Sequence, residues 1–134
     1  MTKSLEKLRA PIRPDRIRRI GGDGFAFVPH RFLRDGFLSS LQHDELALYL
    51  FLLLAGNRDG VSFYRYDAIC SVLRLTLDDY IAARDTLIDR DLIAFDGTRY
   101  QVLSLPPAPV GAPSSKIDPA AIRAAILANL ESDE

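Results

Sequence analysis

The sequence predicts an α+β fold, mainly α-helical with one small β-hairpin, and three stretches carry that prediction. "SSLQHDELALYLFLLLAGN" reads as a long apolar helix. Ser39 with Gln42 makes a capping-box pattern, and Asp44 and Glu45 fill the first turn, where the helix dipole favours acids. Gly56-Asn57 supplies the stop. "TLDDYIAARDTLIDR" reads as a second helix over Leu77 to Arg90, capped by Thr76 with Asp79 three residues on. "LIAF", Asp96-Gly97 and "TRYQVLSL" read as two β-rich runs around a two-residue Asp-Gly loop, the pattern of a type I′ hairpin.

The remaining elements fall between and around these. Residues 1–24 form a basic arm, with a short helix near Ser4–Arg9 that Pro11 and Pro14 interrupt, and end in a Gly hinge, "GGDG". No Gly-Lys-Ser/Thr follows those glycines, so they are not a phosphate loop. "FAFV" (Phe25–Val28) is a short strand candidate ended by Pro29. "HRFLRDGFL" then makes one or two helical turns with Phe32, Leu33 and Phe37 facing inward.

Along the long helix, Leu46, Tyr49, Leu50, Leu53 and Leu54 form one stripe, and Leu48, Phe51 and Leu52 make the second face apolar as well. A helix apolar all round is covered all round. That second face is therefore an expected interface, met by the N-terminal segment, the C-terminal tail or a second subunit. Asp59-Gly60 turns the chain into a short strand, Val61–Phe63. Residues 66–74 make a short helix capped by Asp67, with Ile69, Cys70, Leu73 and Leu75 as its apolar set.

The helix after it places Leu77, Tyr80, Ile81, Leu87 and Ile88 on one face, with Arg84 in their midst. Asp78, Asp79, Asp85 and Asp89 lie on the other. Residues 106–117 are a Pro-rich linker, and 118–134 close as a helix capped by Asp118, with Ile122, Ile126 and Leu130 along one face. These three join Leu48, Phe51 and Leu52 as expected interface residues.

The order strand, helix, short strand, helix, turn, helix, hairpin is that of a winged helix-turn-helix, here over residues 25–105, with an N-terminal basic arm and a C-terminal helix. The stretches "FVPHRFL", "SLQHDELALYLFLLLAGNRDGVSFYRYDAICSVLRL" and "LIDRDLIAF" resemble the winged-helix domains at the start of plasmid and phage replication initiators, and the primosomal DnaD-like proteins. The resemblance implies a DNA-binding or dimerising module in replication, transcription or mobile-element biology. In register with such recognition helices, Tyr80, Ala83 and Leu87 match. Arg84 stands where a leucine is usual and Asp91 where a glycine is usual. Asp91 tolerates the left-handed conformation wanted there. Arg84 needs a partner, expected to be a nearby carboxylate such as Asp67 or Asp91; a subunit interface is the alternative.

The 134 residues predict one domain with tails, and an apolar content of 48% argues against wholesale disorder. One cysteine, Cys70, leaves no disulfide framework and no multi-cysteine zinc site, which fits a reducing, cytosolic setting. No signal-peptide pattern is present, and the longest apolar run, Leu46–Ala55, is far short of the roughly 20 residues that span a bilayer.

The net charge is −1 but uneven. Within residues 1–20, Lys3, Lys7, Arg9, Arg13, Arg16, Arg18 and Arg19 face only Glu6 and Asp15, for +5, which leaves −6 on the rest. A basic arm on an acidic body points to nucleic acid or an acidic partner. The expected DNA contacts are Arg13, Arg16, Arg18 and Arg19 in the arm, with Arg65, Arg74 and Arg99 on the body; Arg90 is a further flanking candidate. No aromatic residues interleave with the arm arginines, so the arm is not a stacking platform for single strands. Four aspartates on the outward face of the Leu77–Arg90 helix oppose its entry into a groove whose walls are phosphates.

His30 and His43 stand alone at helix starts with no second ligand at metal spacing, and Cys70 sits on an apolar face as core. No catalytic group, metal, cofactor or small-molecule substrate is expected. Tyr64, Arg65 and Tyr66 form the most suggestive exposed cluster, with Tyr66 expected in the core and Tyr64 at its rim. The alternative to DNA binding is an oligomerisation or protein-interaction module, with a homodimer as the natural assembly.

Overall fold

The computed structural model describes residues 8–111. The expected C-terminal helix with Ile122, Ile126 and Leu130, most of the Pro-rich linker and residues 1–7 lie outside them. The described elements are α1 (Arg31–Arg34), α2 (His43–Ala55), β1 (Val61–Ser62), α3 (Tyr66–Leu73), α4 (Leu77–Asp89), β2 (Ile93–Phe95) and β3 (Tyr100–Val102), with 3₁₀ turns at Pro14–Arg16 and Leu38–Ser40. Among the described residues the fold is α+β: four α-helices and one antiparallel sheet of order β1-β3-β2.

The expected strand at residues 25–28 does not form; these residues carry no regular secondary structure and are exposed. β-propensity marks a segment that suits a pleated surface, and here no neighbouring strand supplies a ladder. In α1, Phe32 takes the inward position, stacked on Phe37 and on Tyr49 of α2, so the next residue, Leu33, turns outward and is 71% exposed. Helical geometry allows a single turn only one inward face.

α2 starts later than the Ser39 cap predicts. Ser39 and Ser40 lie in the 3₁₀ turn, where Ser40 Oγ donates to the Phe37 carbonyl at 2.6 Å. The cap is Gln42, whose backbone N–H donates to Glu45 Oε1 at 3.0 Å. The inward face of α2 is set by packing. Glu45, Leu48, Tyr49 and Leu52 are buried, and Leu50 and Leu54 are 55% and 68% exposed. Leu48 and Leu52 are therefore core residues and not interface, which corrects the expectation for both. Phe51 is half-buried and meets Tyr64 edge-on, with ring centroids 5.2 Å apart.

α3 and α4 meet through a tight turn. Arg74 closes α3 in the left-handed conformation at φ 57°, and its N–H donates to the Cys70 carbonyl. Thr76 then caps α4 as expected, its Oγ1 accepting from the Asp79 N–H at 3.1 Å. At the start of α3 the cap is Arg65, not Asp67, whose carboxylate instead accepts from the adjacent Ala68 N–H at 3.0 Å. Ile69 is fully buried, with Cys70, Leu73 and Leu75 packed against the core. The inward stripe of α4 is Tyr80, Ala83 and Leu87; Leu77 and Ile88 sit at its exposed edges. Asp91 leaves the helix at φ 61°, the left-handed role expected of it.

The hairpin forms, with a different loop. Phe95 pairs with Tyr100, so Asp96–Arg99 join the strands. Asp96 Oδ1 accepts from the N–H groups of Thr98 (2.9 Å) and Arg99 (2.6 Å), doing with its side chain what the backbone does in a two-residue I′ turn. Beyond β3 the chain returns to α1. Arg31 lies over the Phe37 ring and donates to the carbonyls of Leu105 (3.4 Å), Pro106 (2.7 Å) and Pro107 (3.0 Å). No helix among the described residues is long and apolar enough to cross a membrane.

Candidate nucleic-acid interface

Several aromatic residues and two arginines of the body, Arg65 and Arg84, line one cleft of about 590 Å³, between the exit of β1, the inner edge of α4 and the hairpin loop. Phe63, Tyr64, Arg65 and Tyr66 form one wall; Leu77, Tyr80, Ile81 and Arg84 of α4 form another; Phe95, Gly97, Thr98 and Tyr100 close it. The volume lies within the roughly 300–1,000 Å³ of ordinary ligand sites. Phe63 is 67% exposed, and Tyr64 and Tyr66 are about half exposed. Tyr66 is thus a wall of the cleft and not the core residue expected.

Arg84 pairs with a nearby carboxylate as expected, but with Asp85 rather than Asp67 or Asp91. Its Nε donates to Asp85 at 3.1 Å, and its guanidinium lies 5.5 Å from the Tyr80 ring centre and 5.2 Å from that of Phe95. The two rings supply a face on which a planar cation rests without a buried counter-ion. Burial works against that charge, but the Asp85 and Tyr80 contacts outweigh it and hold the group above its ordinary value. Beneath, the Tyr80 and Tyr100 hydroxyls are hydrogen-bonded to each other. Burial first, then this bond, pushes the Tyr100 phenol well up, so it stays neutral.

The other expected contact residues are distributed unevenly. Arg65 stands in the cleft wall, ion-paired to Asp67 at 3.6 Å, both side chains well exposed. Arg99 leaves the hairpin loop beside Thr98 and pairs with Asp96 at 3.0 Å. Arg74 is exposed at the far end of α3 and is not in the cleft. Arg90 corrects its expectation outright: it is only 8% exposed and donates from Nη1 to the Ser40 carbonyl at 2.5 Å, so it ties α4 to the turn before α2 and reaches no ligand.

In the arm, Arg13 pairs with Asp15 at 2.8 Å. Arg16, Arg18 and Arg19 are exposed and have no carboxylate partner among the described residues. On the outward side of α4, Asp78, Asp79, Asp85 and Asp89 are all exposed. Among the described residues no cluster of three or more His, Cys, Asp or Glu is placed to hold a metal.

Tyr64 and Arg65 were legible in the sequence as an exposed pair. Phe63, Ile81 and Phe95 as cleft residues were not, because each looks like ordinary strand or helix filling until the hairpin folds over them. Comparisons with protein-family models, with curated proteins and with solved structures return no match to this chain.

Proposed function

We propose that this chain is a winged helix-turn-helix protein that binds DNA chiefly through its basic arm, in replication, transcription or mobile-element biology. The order α2, β1, α3, turn, α4, hairpin, with β1 against the far strand of the hairpin, supports the winged-helix reading. The observation that carries the DNA reading is the arm: Arg16, Arg18 and Arg19 stand exposed without carboxylate partners among the described residues, in front of an acidic body. Phosphate binding rewards such uncommitted charges, because each contact releases condensed counterions. α4 is not the reading element. Its outward aspartates repel phosphate, and one Asp-to-cytosine contact offsets little of that repulsion.

Anisotropy of a labelled mixed-sequence duplex at low and moderate salt tests the reading. The chain is expected to bind with a steep salt dependence. A variant with Arg13, Arg16, Arg18 and Arg19 replaced by Gln is expected to lose most of the affinity. Absence of salt-dependent binding by the unaltered chain overturns the DNA reading, and full binding by the variant overturns the arm's part in it.

A second reading, self-association, is favoured by one observation. Leu50 and Leu54, one turn apart, leave an apolar ridge on α2 open to solvent. A homodimer through this ridge is expected to fall apart in Leu54→Glu, seen as a halved mass by light scattering; a monomeric unaltered chain removes this reading.

A further inference from the structure

We propose that the cleft between Phe63–Tyr66, α4 and the hairpin receives an unstacked base of a DNA strand whose backbone the arm holds; this rests on the DNA-binding reading above. The Tyr64-Arg65-Tyr66 run and Arg84, which stand apart along the sequence, line the same cleft. Its wall presents three exposed aromatic side chains, Phe63, Tyr64 and Tyr66, within four residues. Exposed apolar residues scattered singly need no explanation, but a cluster of this kind around a concavity marks a contact site. Within the cleft, the Arg84 guanidinium lies 5.5 Å from the Tyr80 ring centre and 5.2 Å from that of Phe95. Aromatic rings together with a guanidinium plane are what unpaired bases stack upon.

Charge selects the occupant. Arg65 lines the cleft, and its carboxylate partner Asp67 is exposed, at 3.6 Å. A well-exposed pair of this kind is weak, so Arg65 can turn to a phosphate at little cost. Of the exposed α4 aspartates, Asp85 stands at the cleft edge, bonded to Arg84 at 3.1 Å, and the arm adds cations that have no carboxylate partner among the described residues. A neutral apolar partner leaves all of this charge unused; a polyanion with π-faces uses both halves of the site. A fully paired duplex, with its bases stacked and only their edges exposed, cannot fill the cleft. The protein is therefore expected to favour single strands and duplex ends with overhangs over blunt duplex.

The test compares three probes at one salt concentration: a labelled oligo(dT), a blunt mixed duplex and the same duplex with a dT overhang. The proteins are the full chain, Phe63→Ala, Tyr64→Ala, Tyr64→Phe and the arm variant described above, each first checked for an unchanged circular dichroism spectrum. Phe63 is largely exposed, which keeps the test open even if loss of the Tyr64 contact to Phe51 disturbs the fold. The expected result is tighter binding of oligo(dT) and overhang than of blunt duplex. Phe63→Ala or Tyr64→Ala is expected to weaken oligo(dT) binding roughly ten-fold, with blunt duplex unchanged and Tyr64→Phe near normal. The arm variant should weaken all three probes. Unchanged oligo(dT) affinity in both alanine variants, or equal losses on all probes, overturns the base-binding cleft and leaves the arm reading standing. Failure of the unaltered chain to bind any probe overturns both.

Discussion

Asp96 holds the tip of the hairpin with its side chain. Two backbone N–H groups and the Arg99 guanidinium converge on its carboxylate, and the N–H bonds from Arg99 and then Thr98 do most to lower its pKa from 3.8 to about 2. A depressed acid stabilises the fold while ionised: its contribution is full above the unfolded value and is lost as pH falls through the folded one. Asp96→Ala is therefore expected to melt earlier than the unaltered chain at neutral pH. The difference should close as pH falls through about 2. Thermal melts across that range check this, and a gap that persists in strong acid refutes it. Arg90 makes a second residue-scale case. Its buried guanidinium bonds the Ser40 carbonyl, and its Nε finds no partner among the described residues. Arg90→Ala should cost about 1.5–3 kcal/mol, the range for hydrogen bonds to charged groups, read by urea unfolding. DNA affinity per folded molecule should not change, which separates this arginine from those of the arm.

Among the elements, connections decide more than helix propensity does. Gly60 joins α2 to β1 at φ +82°, and its carbonyl accepts the Val102 N–H at 2.9 Å. A Cβ on Gly60 would stand only 2.7 Å from the Val102 carbonyl oxygen. A side chain there meets both a disfavoured backbone conformation and a strand it cannot displace. Gly60→Ala is expected to destabilise by about 1–3 kcal/mol or more, in chemical denaturation, by loosening the β1–β3 pairing. The Thr76 cap is an ordinary helix start by comparison, and Thr76→Ala should cost about 1 kcal/mol in the same measurement. The helices after Arg65 were readable because their signals are local: a repeat of apolar residues in both and, for α4, a cap three residues before the N–H it accepts from. α2 was readable as a helix and misread as to its faces. It is apolar on every side, so no moment points inward, and the inward face is left to packing alone.

For the molecule as a whole, the separation of charge sets the expected behaviour with DNA. A basic arm of +5 leads an acidic remainder of −6, so long-range attraction and repulsion come from different parts of one chain. The logarithm of affinity should fall with the logarithm of salt by about 0.9 per phosphate neutralised. Replacing Arg16, Arg18 and Arg19 one at a time should flatten that slope by up to about 0.9 at each step, whereas Arg74→Ala, at the far end of α3, should change it less. The class of fold, the hairpin, the left-handed exit at Asp91, the Thr76 cap and the acidic outward face of α4 were all written in the sequence, because each depends on residues within a few positions of one another. Packing in three dimensions was needed to make Leu48 and Leu52 core, to bury Arg90, and to rest Arg84 on Tyr80 and Phe95 in a cleft with Tyr64 and Tyr66. Those outcomes depend on which surfaces meet across roughly 10 to 50 residues of chain, and side-chain patterning along one element carries no information about its neighbour.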